Sequence, residues 1–208
     1  MGNKIECVAL DAMGVIYKAR DDVAELLVPF ARSNGCRLSD RQISNLYLRC
    51  SLGQVTSAEL WHLLGLQGDC EALNDRYLRS HELMPGIRNF LRRMHTKRVP
   101  VACLSNDVAE WSLQLRRMHR LESAVGYWII NGQVGARKPD AQIYEHFIKT
   151  TAWEPQSCLM IDDQVSNLDT ALNLGFQTAL YTKDQLGTSA AEHLAFSSYE
   201  EIESVIST

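Results

Sequence analysis

Residues Val8–Tyr17 read V-A-L-D-A-M-G-V-I-Y. A short apolar run, Cys7 to Leu10, ends in a carboxylate, Asp11, and a glycine, Gly14, follows soon after. A run this short, bounded by a turn signal, predicts a buried strand. Asp11 then sits at the carboxyl end of that strand, the edge at which open α/β sheets place their ligands. A charge at the end of a core strand is costly unless it has a partner or a chemical task. An Asp that merely caps a following helix satisfies the same local pattern, so the decision lies with the remaining residues.

Beyond this strand, Lys18–Leu83 lacks strand patterns. Val23, Leu26, Leu27 and Phe30 recur at helical spacing, and Ser39 precedes a second helix with Ile43, Leu46, Tyr47 and Cys50 on one face. Thr56 and Glu59 form a capping-box signature ahead of Leu60, Leu63 and Leu64, and Glu71–His81 predicts a fourth helix. From Met84 the pattern changes. A helix face (Ile87, Phe90, Leu91, Met94) leads to an apolar strand, Val99–Leu104, that ends in Ser105-Asn106-Asp107. A helix over Val108–His119 and a strand over Tyr127–Ile130 follow. A Gly-rich loop, Asn131–Arg137, runs into Lys138-Pro139-Asp140. Helix Ala141–Thr151, strand Cys158–Ile161 ending in Asp162-Asp163, helix Asn167–Leu174 stopped by Gly175, strand Phe176–Tyr181 and a last helix over Ser197–Ile206 complete the chain.

Apolar strands alternating with amphipathic helices predict an α/β fold: a mainly parallel sheet covered by helices on both faces. Polar groups follow three of its strands: Asp11, Ser105-Asn106 and Asp162-Asp163. In a parallel sheet those ends share one edge, so these residues converge on one crevice. Separate helix caps would not account for carboxylates on two of the strands. Converging carboxylates require a cation, and all-oxygen ligation without a nearby His or Cys suits Mg²⁺. Asp11 and Asp163 are the candidate direct ligands, with Asp162 a further ligand or their supporting partner. Lys138 in the same crevice offsets carboxylate repulsion and holds an anionic substrate oxygen; an exposed turn lysine is its bland alternative. The Ser105 hydroxyl and the amides after it suit a phosphoryl group, with Asp11 as a nucleophile that forms an aspartyl-phosphate.

Composition narrows the field. The chain has 208 residues, 46% hydrophobic and 22% charged, with a net charge of −4. That gives no reason to expect nucleic acid or an anionic membrane as partner. The pairs Arg92-Arg93 and Arg116-Arg117 read as solvated helix faces. No apolar run reaches membrane-spanning length. Met1 to Lys4 leads straight into the first strand, and Gly2 is followed by Glu6 where a myristoylation signal needs Ser or Thr. The six cysteines form no C-x-x-C pair; Cys7, Cys103 and Cys158 read as buried thiols of a cytoplasmic protein. Trp61, Trp111, Trp128 and Trp153 are expected to pack in the core or against the helical insertion. A monomer and a homodimer are both compatible with these features.

The motifs resemble the haloacid-dehalogenase-like (HAD) hydrolase superfamily, in the branch with a helical cap inserted after the first strand. The matches are Asp11 and Gly14 in D-A-M-G-V, Ser105 and Asn106 in L-S-N, Lys138 in G-A-R-K-P-D, and Asp162, Asp163 and Asn167 in I-D-D-x-x-x-N. They fall in family order over nearly the whole chain. The resemblance implies a Rossmann-like core of residues 1–17 and 84–208 and an all-α, four-helix-type cap of residues 18–83 that closes over the site and selects the substrate. It implies Asp11 as nucleophile, Ser105 and Lys138 as phosphate binders, and Mg²⁺ held by Asp11, the Met13 carbonyl and Asp163. A small phosphorylated molecule is the implied substrate.

One position departs from the family pattern. Phosphatases of this family carry a second Asp two residues after the nucleophile, which protonates the leaving oxygen and later activates water. Here that residue is Met13, which does neither. Loss of a general acid–base group typically costs about 10²–10⁴-fold in rate, roughly 3–5 kcal/mol of barrier. The penalty is largest for alkoxide leaving groups and nearly vanishes for acyl phosphates. Val15 also replaces a Thr often found in the family. Three explanations follow. The first is a hydrolase of activated phosphates, or one that takes an acid from the cap, with His62, His81 and Glu82 as candidates. The second is dehalogenase-like chemistry; those relatives also lack the second Asp, but they lack the Asp162-Asp163 pair as well. Schiff-base phosphonatase chemistry needs a cap lysine, and none lies between Asp21 and His95, so that chemistry is excluded unless Lys18 serves. The third is a binding or scaffold protein that kept the fold without turnover. The retained metal-type motif favours the first.

Overall fold

The computed structural model describes residues 4–182 and 192–206, so Gly2 lies outside the described residues. Its strands are β1 (Cys7–Leu10), β2 (Val101–Ser105), β3 (Tyr127–Ile130), β4 (Cys158–Asp162), β5 (Gln177–Tyr181) and β6 (Leu194–Phe196). They form one parallel sheet in the order β3-β2-β1-β4-β5-β6. Every residue of β1, β2 and β4 is buried, which is why these segments are continuous apolar runs rather than alternating ones. Side-chain alternation divides them between two cores. Val8, Leu10, Val101, Cys103, Leu159 and Ile161 point into the larger one, with α5 (Ile87–Lys97), α6 (Ala109–Met118) and α10 (Tyr199–Val205). Ala9, Ala102, Leu104 and Met160 pack on the other face against Ile143, Tyr144 and Phe147 of α8 (Ala141–Thr151) and Leu168 of α9 (Val165–Asn173).

Between β1 and α5 the chain is helical: a π-helical turn (Val23–Leu27), then α1 (Val28–Ser33), α2 (Asp40–Ser51), α3 (Ser57–Leu63) and α4 (Cys70–Leu78). Two capping boxes fix where α2 and α3 start. Ser39 and Gln42 exchange bonds at one, and Thr56 and Glu59 at the other, each satisfying donors that a helix start leaves open. The insertion leaves and returns at one point. Lys18 N–H donates to Glu82 O at 2.9 Å and Met84 N–H to Ile16 O at 2.8 Å. Its interior is continuous with the larger core: Trp61 and Trp111, on α3 and α6, are fully buried with ring centroids 5.2 Å apart. Trp128 and Trp153 are half-buried.

Three local expectations change. Asn131–Val134 is a helical turn, α7, rather than loop. Gly132 lies against the insertion there; a Cβ on it would sit 3.1 Å from Ser51 O and 3.2 Å from Ala109 N. Strand β6 has no strand signal in the sequence pattern; among the described residues it pairs with β5 alone. Arg93 and Arg116 are half-buried, not solvated. Arg93 pairs with Glu200 and Glu203 of α10, and Arg116 lies 5.3 Å over the Trp128 ring. Among the described residues no helix is long and apolar enough to cross a membrane.

Strand order reverses direction between β1 and β4. Such a switch point opens a crevice at the carboxyl ends of the strands.

Candidate active site

The parallel register places Leu10 beside Ile161, so the residues that follow, Asp11 and Asp162, end adjacent strands at the switch point. Asp11, Asp162 and Asp163 are buried, and one carboxylate oxygen from each lies within 4.8 Å of the others. Lys138 arrives from the segment after α7, also buried, and spans two of them: its Nζ is 2.8 Å from Asp11 Oδ1 and 2.6 Å from Asp162 Oδ2. Asn106, just past β2, fixes that lysine by a reciprocal pair. Its Nδ2 donates to Lys138 O at 2.9 Å, and Lys138 N–H donates to its Oδ1 at 2.8 Å.

The three carboxylates are held differently. Asp162 accepts at both oxygens, from Asn167 Nδ2 at 3.0 and 3.1 Å, from Gln164 N–H at 2.9 Å and from Lys138. Asp11 Oδ1 accepts the Ala12 N–H at 2.7 Å as well as Lys138. Asp163 Oδ2 accepts Arg20 Nε at 2.8 Å, and Arg20 also reaches the Asp163 carbonyl at 3.3 Å. Gly14 makes room for Asp163. At its φ of +75°, a Cβ would lie 2.5 Å from Asp163 Oδ2, closer than any side chain allows. Ser105 ends β2 with a buried hydroxyl that has no hydrogen-bond partner among the described residues.

Among the described residues three carboxylates face one ammonium and one guanidinium, which leaves the cluster short of positive charge. Burial, followed by the neighbouring Asp162, pushes Asp11 up to about 8, although Lys138 pulls the other way. Burial also raises Asp163, against the pull of Arg20. For Lys138 burial opposes the ammonium, but the Asp11 and Asp162 carboxylates outweigh it and raise its pKa. An under-neutralised all-oxygen cluster beside a glycine cradle fits a hard divalent cation such as Mg²⁺.

The cluster opens into a cavity of about 510 Å³. Asp11, Met13, Asn106, Lys138, Asp163 and Asn167 line one wall. Asp22, Ser44, Tyr47 and Leu48, from the π-helical turn's start and α2, line the other. The structure thus brings together the expected Asp11, Gly14, Asn106, Lys138, Asp162, Asp163 and Asn167; Ser105 directly precedes Asn106 but is not among the residues lining the cavity. The three candidate acids do not join them. His62 is exposed on α3, Glu82 is exposed and paired with Lys18, and His81 is buried among Tyr17, Tyr77 and His119. None of the three is among the residues lining the cavity. Arg20, Asp22 and Tyr47 are among the wall residues that sequence reasoning misses. The run Arg20-Asp21-Asp22 is the available signal, and it resembles any solvated charge cluster.

A family model for haloacid dehalogenase-like hydrolases matches residues 5–175. The sesquiterpene phosphatase astK of Aspergillus oryzae is 29% identical over 100 residues, which are 48% of this chain and 50% of that protein. The chain therefore spans about half the length of this curated relative. Solved structures share the fold. A HAD family enzyme from Bacteroides thetaiotaomicron superposes with a TM-score of 0.74 at 15% identity, over 88% of this chain and 96% of that one. A HAD phosphatase from Thermococcus onnurineus gives 0.70 at 17%, over 97% and 98%, and a dehalogenase gives 0.70 at 18% over the full length of both. With the family model covering most of the chain, strand β1 through α9 included, this protein belongs to the haloacid dehalogenase-like hydrolases.

Proposed function

We propose that this hydrolase transfers a phosphoryl group from a small phosphorylated molecule to Asp11 and then to water. The carrying observation is Lys138, buried and bridging Asp11 and Asp162 on the floor of a cavity that Asp163 also lines. The Asp162-Asp163 pair, which the family's dehalogenases lack, favours this reading over dehalogenation. In this reading Asp11 Oδ2, the oxygen not engaged by Lys138, attacks phosphorus. Lys138, the Ser105 hydroxyl and Asn106 face the phosphoryl oxygens and stabilise the charge that develops on them. Asp162, satisfied at both oxygens, positions Lys138. Mg²⁺, when bound, would be held by Asp11, Asp163 and the Met13 carbonyl, with Asp162 in support, and would add positive charge at the phosphoryl oxygens.

Residues 18–83 are then a cap on a core of residues 1–17 and 84–208. The single neck at Lys18 and Glu82 and the α2 side chains across the cavity from Asp11 support that division. A cavity of about 510 Å³ suits a small molecule. The phosphatase relative and a Bacteroides thetaiotaomicron neighbour solved with magnesium and inorganic phosphate agree in chemical class. Met13 faces the cavity with a side chain that carries no proton to donate. Acyl phosphates, whose leaving group needs none, are therefore the most forgiving substrates.

Acetyl phosphate hydrolysis tests the reading. Turnover is expected with Mg²⁺, and its loss both with chelator and in Asp11→Asn. Turnover indifferent to chelator, or surviving in Asp11→Asn, would remove the assignment.

A further inference from the structure

Among the described residues four carboxylates line the cavity: Asp11, Asp21, Asp22 and Asp163. Asp11 and Asp163 belong to the charged cluster. Asp21 is exposed and accepts the Ala24 N–H at 2.9 Å, a local turn contact. Asp22 is different. It is 7% exposed, and its Oδ2 accepts the Tyr47 hydroxyl at 2.9 Å. Tyr47 comes from α2, across the neck from the core, and is itself buried. Resting on the phosphoryl-transfer reading above, we propose that Asp22, positioned by Tyr47, is the acid–base group that Met13 cannot be, and that the protein therefore hydrolyses alkyl phosphate monoesters and not acyl phosphates alone.

The two half-reactions balance. As Asp11 Oδ2 bonds to phosphorus and the P–O bond to the alkyl group breaks, the protonated Asp22 gives its proton to the departing oxygen, and a neutral alcohol leaves. Asp22 is now a carboxylate. It takes a proton from water as the water oxygen bonds to phosphorus and the Asp11–phosphorus bond breaks. Inorganic phosphate leaves, and both side chains return to their starting states.

The surroundings of Asp22 suit an acid that works near neutrality. Burial pushes its pKa up to about 6, and Asp21 adds to this, while the Tyr47 hydroxyl and the local backbone amides hold it from rising further. The groups that face it from elsewhere are Tyr47 on α2, Tyr77 on α4 and Asp107 ahead of α6. Both phenols stay neutral, because burial raises them well above their ordinary range, and burial likewise raises Asp107. Arg20 and Arg137 are the cations on the cavity wall besides Lys138, and Arg20 is engaged with Asp163.

The test compares a simple alkyl phosphate with acetyl phosphate in wild type, Asp22→Asn, Tyr47→Phe and the double variant Met13→Asp/Asp22→Asn. In Asp22→Asn the ratio of alkyl to acetyl phosphate turnover is expected to fall about 10²–10⁴-fold. The double variant, with a carboxyl restored at position 13, recovers the alkyl activity, which a merely unfolded or distorted site does not. In wild type, alkyl turnover declines as pH rises through about 6, and Tyr47→Phe moves that limb upward by removing a donor to the carboxylate. An unchanged ratio in Asp22→Asn, in a protein that still forms phosphoenzyme from acetyl phosphate, overturns the role of Asp22 alone. Failure of wild type to form phosphoenzyme from either substrate overturns the phosphoryl-transfer reading on which it rests.

Discussion

Replacing Gly14 with Ala isolates one contact on which the charged cluster depends. Gly14 and Gly65 share a φ of +75°, but a Cβ at Gly65 meets nothing within 4 Å, whereas at Gly14 it lies 2.5 Å from Asp163 Oδ2 and 2.6 Å from Asp163 Cγ. Both substitutions incur the left-handed backbone penalty, roughly 1–2 kcal/mol. At about 2–4 °C per kcal/mol for a chain of this size, Gly65→Ala should lower Tm by about 2–8 °C and change nothing else. Gly14→Ala suffers the same strain and also forces Asp163 to rotate. That breaks the 2.8 Å bond from Arg20 Nε and carries the carboxylate away from Asp11. Separating two acids recovers part of the lost stability, so the melting temperature alone does not discriminate. Cation binding does. Calorimetric titration with Mg²⁺ should show Gly65→Ala binding like wild type and Gly14→Ala at least about tenfold weaker, which corresponds to ~1.4 kcal/mol. Equal Mg²⁺ affinity in the two variants would refute the claim that Gly14 is there to seat Asp163.

Other consequences concern stability. Lys138→Met leaves Asp11 and Asp162 buried without their shared cation, and breaking a buried pair in this way costs about 3–5 kcal/mol; urea unfolding at pH 7 should show it, and an unchanged midpoint would contradict the bridging role. His81 is held down to about 4, first by burial, so between that value and its ordinary 6.5 the unfolded chain binds a proton that the native one does not. His81 therefore adds a contribution to stability that grows with pH across that window, by up to ~3 kcal/mol, while the raised carboxylates Asp11 and Asp22 act in the opposite direction. The stability difference between wild type and His81→Phe should grow across the window, and parallel pH profiles in the two proteins would count against it. Asn74 Oδ1 accepts both the Trp61 indole at 2.8 Å and the Trp111 indole at 2.7 Å. Asn74→Leu strands two buried donors at about 1–3 kcal/mol each, measurable as a lower denaturation midpoint, and a variant as stable as wild type would show that the insertion is not tied to α6 through this residue.

Which features are legible in the sequence follows from which interactions are local. Asp11, Ser105, Asp162 and Asp163 are placed together by pattern alone because each ends an apolar run, and parallel strands share a carboxyl edge. Lys138 is reached by asking what offsets the carboxylates, with an exposed turn lysine as its alternative, and Asn167 requires the family resemblance; nothing in the sequence announces that Asn106 clasps the lysine backbone or that Asn167 reaches both oxygens of Asp162. Arg20, Asp22 and Tyr47 are illegible for a different reason. Helical periodicity says that one face of α2 is buried but not against what, and a short charged run at the start of the helical insertion looks like solvated surface. The same limit hides α7, where Gly132 has poor helix propensity but is pressed between Ser51 and Ala109. It also hides β6, whose Leu194 is 48% exposed and whose conformation is set by pairing with β5. In each case a distant partner decides, and propensity yields to it.

Asp11 as the phosphoryl acceptor is the assignment from which the other roles follow. Its most direct test is to mix the protein with acetyl phosphate and Mg²⁺, quench in acid within one turnover, and map the covalent phosphoryl group by peptide mass. The phosphoryl group is expected on the peptide containing Asp11, absent in Asp11→Asn and absent when chelator replaces Mg²⁺. Acetyl phosphate consumed with no phosphoryl group on that peptide, at a rate that Asp11→Asn shares, would contradict it.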